Sequence, residues 1–206
     1  TPTPAPKPGP TPAPSKVSIE GAKIELSPKS LTYNGKKQKV SVKSVTVNGK
    51  KLDPGKDYRV SWSPETLKNA GTYTVTVTGQ GDCTGSARAK YKIAKAKNTL
   101  KVKAAKKTYK VSSEKLSNKS QTIKGSKIFK YTDRKKTKGS ISYKISSVKK
   151  NGKKVKDFSV NSKNGKLTLK KGLESGSYAV NVIVTAKGDK NHEQVKKTVK
   201  FTVRVK

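Results

Sequence analysis

One phrase is written twice in this chain. Residues 71–82 read GTYTVTVTGQGD and residues 176–189 read GSYAVNVIVTAKGD. Each opens on Gly, a small hydroxyl residue and Tyr, runs on with valine at alternate positions, and closes on Gly-Asp. A period of two is the period of a β-strand, whose successive side chains point to opposite faces. Val75 and Val77 in the first copy, and Val180, Val182 and Val184 in the second, are therefore expected to face a core. Two copies predict two cores.

The sequence from residue 16 onward follows the same grammar. KVSIEGAKIEL, QKVSVKSVTV, DYRVSW and SARAKYKI alternate before residue 94. TLKVKAA, SQTIKG, SISYKISSV, KDFSV, KLTL and VKKTVKFTVRV follow after residue 98. Asn48-Gly49, Asn151-Gly152 and Asn164-Gly165 stand between such runs, and Asn-Gly suits a type I′ hairpin turn, which needs φ > 0 at both central residues. Almost no helix is expected, with at most one turn at SPETLKNAG, residues 63–71. Short strands at this spacing predict an all-β chain of two tandem immunoglobulin-like β-sandwich domains, 16–94 and 98–206. In such sandwiches a Tyr near the start of the penultimate strand bonds back to the preceding loop, the tyrosine corner. Tyr73 and Tyr178 are placed for that role.

Residues 1–15, TPTPAPKPGPTPAPS, contain seven prolines. Proline fixes φ and lacks a backbone donor, so this Pro/Thr-rich segment is expected to be an extended, semi-rigid linker. A spacer at the start, in a chain without Met, reads as part of a larger polypeptide with partner domains upstream. Cys83 is the only cysteine, which excludes an internal disulfide. No run of about 18 apolar residues exists, so no membrane span is expected.

Residues 31–93 resemble the bacterial Ig-like repeats of secreted Gram-positive surface proteins. The resemblance lies in Tyr33–Lys36 (YNGK), Gly55–Tyr58 (GKDY), Gly71–Tyr73 (GTY) and the turn Gly79–Gly85 (GQGDCTG). Cys83 stands where such repeats commonly carry an aromatic. Residues 157–189 resemble bacterial Ig-like and cadherin-like repeats. The resemblance implies an extracellular location, at the cell surface or secreted. Cadherin-like repeats imply calcium between domains, but the join IAKAKNTLKVK has no carboxylate and Asp189 stands alone, so no metal is expected. A Lys–Asn isopeptide bond, known in some Gram-positive surface domains, would need a buried Asn. Asn181 alternates away from Val180 and Val182, toward solvent.

Chemistry needs convergent polar groups, and they are not evident here. His192 is the only histidine and reads as a solvated loop residue. Twelve acids are scattered singly among lysines, and neither a nucleophile elbow nor a phosphate loop occurs. No catalytic, cofactor-binding or metal-binding residue is expected.

Charge is the remaining signal. The chain carries 49 Lys and Arg against 12 Asp and Glu, a net +37. Residues 16–94 hold 15 basic and 6 acidic residues, net +9, and residues 95–206 hold 33 and 6, net +27. Solubility asks for a magnitude of only about 2–8 in a small domain, and self-repulsion at +27 costs stability. The expected contacts for a polyanion are the paired lysines Lys135 and Lys136, Lys149 and Lys150, Lys153 and Lys154, and Lys170 and Lys171. Arginine occurs only at 59, 88, 134 and 204 and aromatics are few, so no specific nucleic-acid readout is expected. Diffuse lysine suits an anionic cell-wall polymer first and a host glycan second. The expected function is a non-catalytic module that binds and spaces at the cell envelope. The alternatives are a purely structural stalk or adhesin segment, and an accessory carbohydrate-binding module of a secreted hydrolase using Tyr58 and Trp62.

Overall fold

The structure is a computed structural model that describes residues 15–206. All but the last residue of the Pro/Thr-rich segment lies outside the described residues. The chain divides into two compact units, Thr1–Ala94 and Lys95–Lys206, and each is a β-sandwich.

In the first unit the strands are β1 (Val17–Ser18), β2 (Lys23–Ser27), β3 (Leu31–Thr32), β4 (Ser41–Val47), β5 (Lys50–Lys51), β6 (Tyr58–Ser63), β7 (Gly71–Gly79), β8 (Cys83–Thr84) and β9 (Ser86–Ala94). One sheet has the order β3-β9-β7-β6 and faces a second, β2-β4-β5. The opening strand β3 runs parallel to the closing strand β9, and the other pairs of this sheet are antiparallel. The valine strand supplies the buried face: Tyr73, Val75 and Val77 are all under 5% exposed. Val77 packs with Val45 and Ile24 of the facing sheet, and Tyr73 packs in a second cluster with Tyr91 and Ile93 of its own sheet and Leu26 of the facing one. Asn48 and Gly49 have φ of 47° and 78°, as a type I′ turn requires. Gly79 is fixed by close approach, because a Cβ there would stand 2.7 Å from the Thr84 nitrogen.

The second unit has β10 (Lys101–Ala104), β11 (Thr108–Val111), β12 (Gln121–Ile123), β13 (Phe129–Thr132), β14 (Ile141–Lys150), β15 (Lys153–Lys154), β16 (Phe158–Val160), β17 (Leu167–Leu169), β18 (Gly176–Ala186) and β19 (Val195–Val205). Its main sheet is β11-β19-β18-β14-β15, facing β12-β17-β16, with β10 and β13 as a separate pair. The opening strand β11 again lies parallel to the last strand, β19. Tyr178, Val180, Val182, Val184 and Ala186 point into one continuous core with Leu167, Leu169 and Phe158 of the smaller sheet.

The Gly-Asp that closes each repeated phrase also has a shared structural role. In both units the loop after the valine strand captures the segment that enters the unit. The Val17 N–H donates to the Asp82 carbonyl and Ile19 to Thr84. In the second unit Ala96 donates to Asn191 and accepts from Glu193, while Ala96 and His192 form a parallel bridge.

Three expectations are corrected. Residues 63–71 form no helix. The helical turns lie in the second unit instead, at α1 (Ser113–Asn118) and α2 (Gly125–Ile128). Ser112 starts α1 as its N-cap, its hydroxyl accepting from the Lys115 N–H. Asn164-Gly165 is not a two-residue turn. Asn161 organises a longer loop by accepting from the N–H groups of Lys163 and Asn164, and only Gly165 has positive φ, packed so that a Cβ would meet the Phe129 and Tyr143 rings. Asn181 is half-buried rather than solvated. Its amide donates to the Ser147 hydroxyl across the sheet at 2.9 Å.

Candidate polyanion-binding face

The outward face of the main sheet in the second unit follows from the strand registers. Residues directly opposite in a ladder share a face, and the valines of β18 claim the inner one. The outward positions of β19 are then Lys196, Thr198, Lys200, Thr202 and Arg204, set opposite Thr185, Ile183, Asn181, Ala179 and Ser177 of β18. On one flank β11 adds Lys110 beside Arg204. On the other, β14 adds Lys144 opposite Ile183 and Lys149 opposite Ala179, and β15 adds Lys154 opposite Lys149. None of these five strands contains Asp or Glu. Seven exposed cations therefore share one face with small hydroxyl side chains and no carboxylate. Neighbouring strands lie about 4.8 Å apart and alternate residues about 6.8 Å apart along a strand, so the positive potential of the cations adds up across the sheet.

Of the eight lysines expected from sequence, Lys149 and Lys154 belong to this face. Lys153 sits opposite Lys150 in the same hairpin, on its other side. Lys135 and Lys136 lie in a 3₁₀ turn, Arg134–Lys136, where Lys136 is 3.8 Å from Asp133. Lys170 and Lys171 follow β17 of the smaller sheet. Lys150 is withdrawn from the group. Its ammonium meets Glu174 at 2.6 Å, lies 5.6 Å from the centre of the Tyr178 ring, and its side chain is only 23% exposed. The hydrogen bond to Glu174 raises its pKa, and the same bond lowers that of Glu174.

Sequence reasoning missed Lys110, Lys144, Lys196, Lys200 and Arg204, because it looked for adjacent lysines. The signal was available in VKKTVKFTVRV, where Lys200 and Arg204 alternate with Val199, Phe201, Val203 and Val205. A cation at every second position of a strand builds a face, whereas two adjacent cations point to opposite sides.

The tyrosines sit at the corners. The Tyr73 hydroxyl donates to the Asn69 carbonyl at 2.8 Å and accepts from the Asn69 N–H at 3.1 Å. The Tyr178 hydroxyl donates to the Glu174 carbonyl at 2.7 Å. Burial raises the Tyr178 pKa. His192 is a further correction. It is half-buried, with Nδ1 2.8 Å from Asp189 Oδ1, and that same oxygen accepts from the N–H groups of Asn191 and His192. The bond from His192 is the main reason the Asp189 pKa is lowered. Among the described residues no group of three or more His, Cys, Asp or Glu is placed to hold a metal ion. No described helix is long and apolar enough to cross a membrane. Tyr58 is only 3% exposed, and Trp62 packs edge-on against Tyr91, so these two form no sugar-stacking platform.

No family model matches the chain, and no curated protein does. Among solved structures it is similar to the protocadherin GammaB4 extracellular domain, at 12% identity over 90% of this chain and 33% of that one, TM-score 0.40. It is similar also to human mucin-like protocadherin EC1-2, at 14% identity over 93% and 96%, TM-score 0.40. A third is Drosophila N-cadherin EC1-4, at 14% identity over 95% and 49%, TM-score 0.35. The chain spans about a third of the protocadherin GammaB4 chain and about half of the N-cadherin one. At these TM-scores the likenesses carry no functional argument, and the fold rests on the strand pairing described above.

Proposed function

We propose that the protein is a non-catalytic, extracellular binding and spacing module that attaches to an anionic polymer of the cell envelope. The observation that carries this reading is the outer sheet face of the second unit, with seven cations and no carboxylate. Lysine and arginine in such density repel one another, and a polymer with closely spaced charges relieves that repulsion while releasing its own counterions. Lysine predominates on the face. Its point charge on a flexible stem favours a mobile phosphate polymer over a rigid, bidentate target. A wall polymer of the teichoic acid kind has that chemistry and accords with the family resemblance of the sequence.

The test is sedimentation of the full chain with Gram-positive walls, intact or stripped of teichoic acid, across a salt series. The expected result is binding to intact walls that falls steeply with salt and is lost on stripped walls. Equal binding to stripped walls, or preference for a sulfated glycan over the wall polymer, overturns the ligand assignment. No binding at low salt reduces the module to a spacer.

A further inference from the structure

The first unit carries only +9, and its adjacent lysines, Lys36-Lys37 and Lys50-Lys51, lie outside its main sheet. Its main sheet nevertheless repeats the segregation of charge seen in the second. Strands β3, β6, β7 and β9 contain no Asp or Glu. The acids of this unit, Glu20, Glu25, Asp53, Asp57, Glu65 and Asp82, all lie off these strands. Because Tyr73, Val75 and Val77 face the core, Thr72, Thr74, Thr76 and Thr78 line the opposite face.

The register then gives the face an order. Lys92 lies opposite Thr72, Lys90 opposite Thr74 and Arg88 opposite Thr76. Three consecutive outward positions of β9 are cations, and each has a hydroxyl beside it on the neighbouring strand. Arg59 of β6 flanks the far end of the row, opposite Thr78. The cations Arg88, Lys90 and Lys92 are exposed, while Thr74 and Thr76 are half-buried among them. This is a rail of cation–hydroxyl pairs with a repeat of about 6.8 Å, the distance between alternate residues of a strand.

We infer that this rail is a second binding site, matched to a linear phosphodiester polymer and seating one phosphate at each cation–hydroxyl pair. A charged phosphate oxygen takes a charge-assisted bond from Lys or Arg and a further bond from a Thr hydroxyl. A phosphodiester chain joined through three-carbon alcohols carries one charge per short linkage, on a length comparable to the rail's repeat. A sulfated glycan such as heparin carries several charges on each disaccharide, crowded and unevenly spaced over two sugars, so it offers no single interval that matches the rail's repeat. The periodicity therefore selects the phosphate polymer. The inference deepens the proposed function and rests on it for the class of ligand.

The test uses the full chain with poly(glycerol phosphate) as probe and heparin as comparison. Affinity is measured against salt for wild type, for Arg88→Gln/Lys90→Gln/Lys92→Gln, and for Thr72→Val/Thr74→Val/Thr76→Val. Circular dichroism and thermal melting confirm that each variant is folded. Each phosphate contact on a flexible strand contributes about 0.7 to the log–log salt slope. The cation triple is expected to lower the slope by about 2. The valine triple keeps the slope and weakens binding several-fold, because it removes hydroxyls and no charge. For heparin the valine triple has no effect. A wild-type slope retained by the folded cation triple overturns the second site, while the proposed function stands if substitutions on the second unit's face still abolish binding. Wild type that fails to bind poly(glycerol phosphate) overturns both. Equal losses for heparin and poly(glycerol phosphate) in the valine triple overturn the phosphate-specific reading of the rail.

Discussion

Tyr178 closes a corner in which three groups depend on one another. Its hydroxyl holds the Glu174 carbonyl, the Glu174 carboxylate holds Lys150, and Lys150 covers the Tyr178 ring. Tyr73 closes the equivalent corner with two bonds to Asn69 and no cation. Tyr→Phe removes the hydroxyl and keeps the ring. Tyr73→Phe and Tyr178→Phe are each expected to lower stability by about 1 kcal/mol, the net worth of a hydrogen bond, read as a drop in denaturant midpoint. The ion pair adds a pH signature. The lowered Glu174 pKa stabilises the fold above the carboxyl's unfolded value, and this contribution is lost as pH falls through the folded value. The raised Lys150 pKa stabilises below its unfolded value and is lost as pH climbs through the folded one. The stability gap between wild type and Lys150→Gln is expected to be widest near neutrality and to narrow in strong acid and in strong alkali. A gap of constant size across pH would remove the ion pair from the account. At this scale the sequence was informative about Tyr73 and Tyr178, because a Gly two residues earlier and the valine run locate them. It could not show Lys150 leaving the surface, since its partner Glu174 is 24 residues away and reaches it only through the fold.

Strands and hairpins account for most of what the sequence shows. Alternation located β7, β9, β18 and β19 and their inner faces, because burial of every second residue is a local pattern. It could not resolve the loop at Asn161–Lys166, whose geometry depends on an Asn side chain accepting backbone bonds. Nor did it find α1, where Ser112 caps a turn too short for periodicity to register. The outer faces were less legible still, because each is assembled from strands up to about ninety residues apart in sequence. The β14–β15 hairpin shows the consequence of concentrating charge. Lys149 stands directly opposite Lys154, and like charges in that position destabilise a ladder. Lys154→Glu is expected to stabilise the unit at low salt by a few tenths of a kcal/mol, read as a higher thermal midpoint, while weakening polyanion binding. A lower midpoint would mean that this repulsion is already relieved within the fold.

For the whole chain, net charge alone predicts attraction to any polyanion. The proposed contact is narrower: one acid-free sheet face in the second unit and, separately, the ordered rail of the first unit. Four lysines expected from sequence, Lys135, Lys136, Lys170 and Lys171, lie away from the sheet that carries the second unit's face and serve as an internal control. The most direct measurement is the salt dependence of affinity for poly(glycerol phosphate) in two full-chain variants that each remove four charges. One is Lys144→Gln/Lys149→Gln/Lys200→Gln/Arg204→Gln, on the face. The other is Lys135→Gln/Lys136→Gln/Lys170→Gln/Lys171→Gln, off it. At about 0.7 per contact, the face variant is expected to lower the log–log slope by about 3 and the control to leave it close to wild type. Equal loss in both variants would show that the polymer reads net charge and not a face, and would contradict the account.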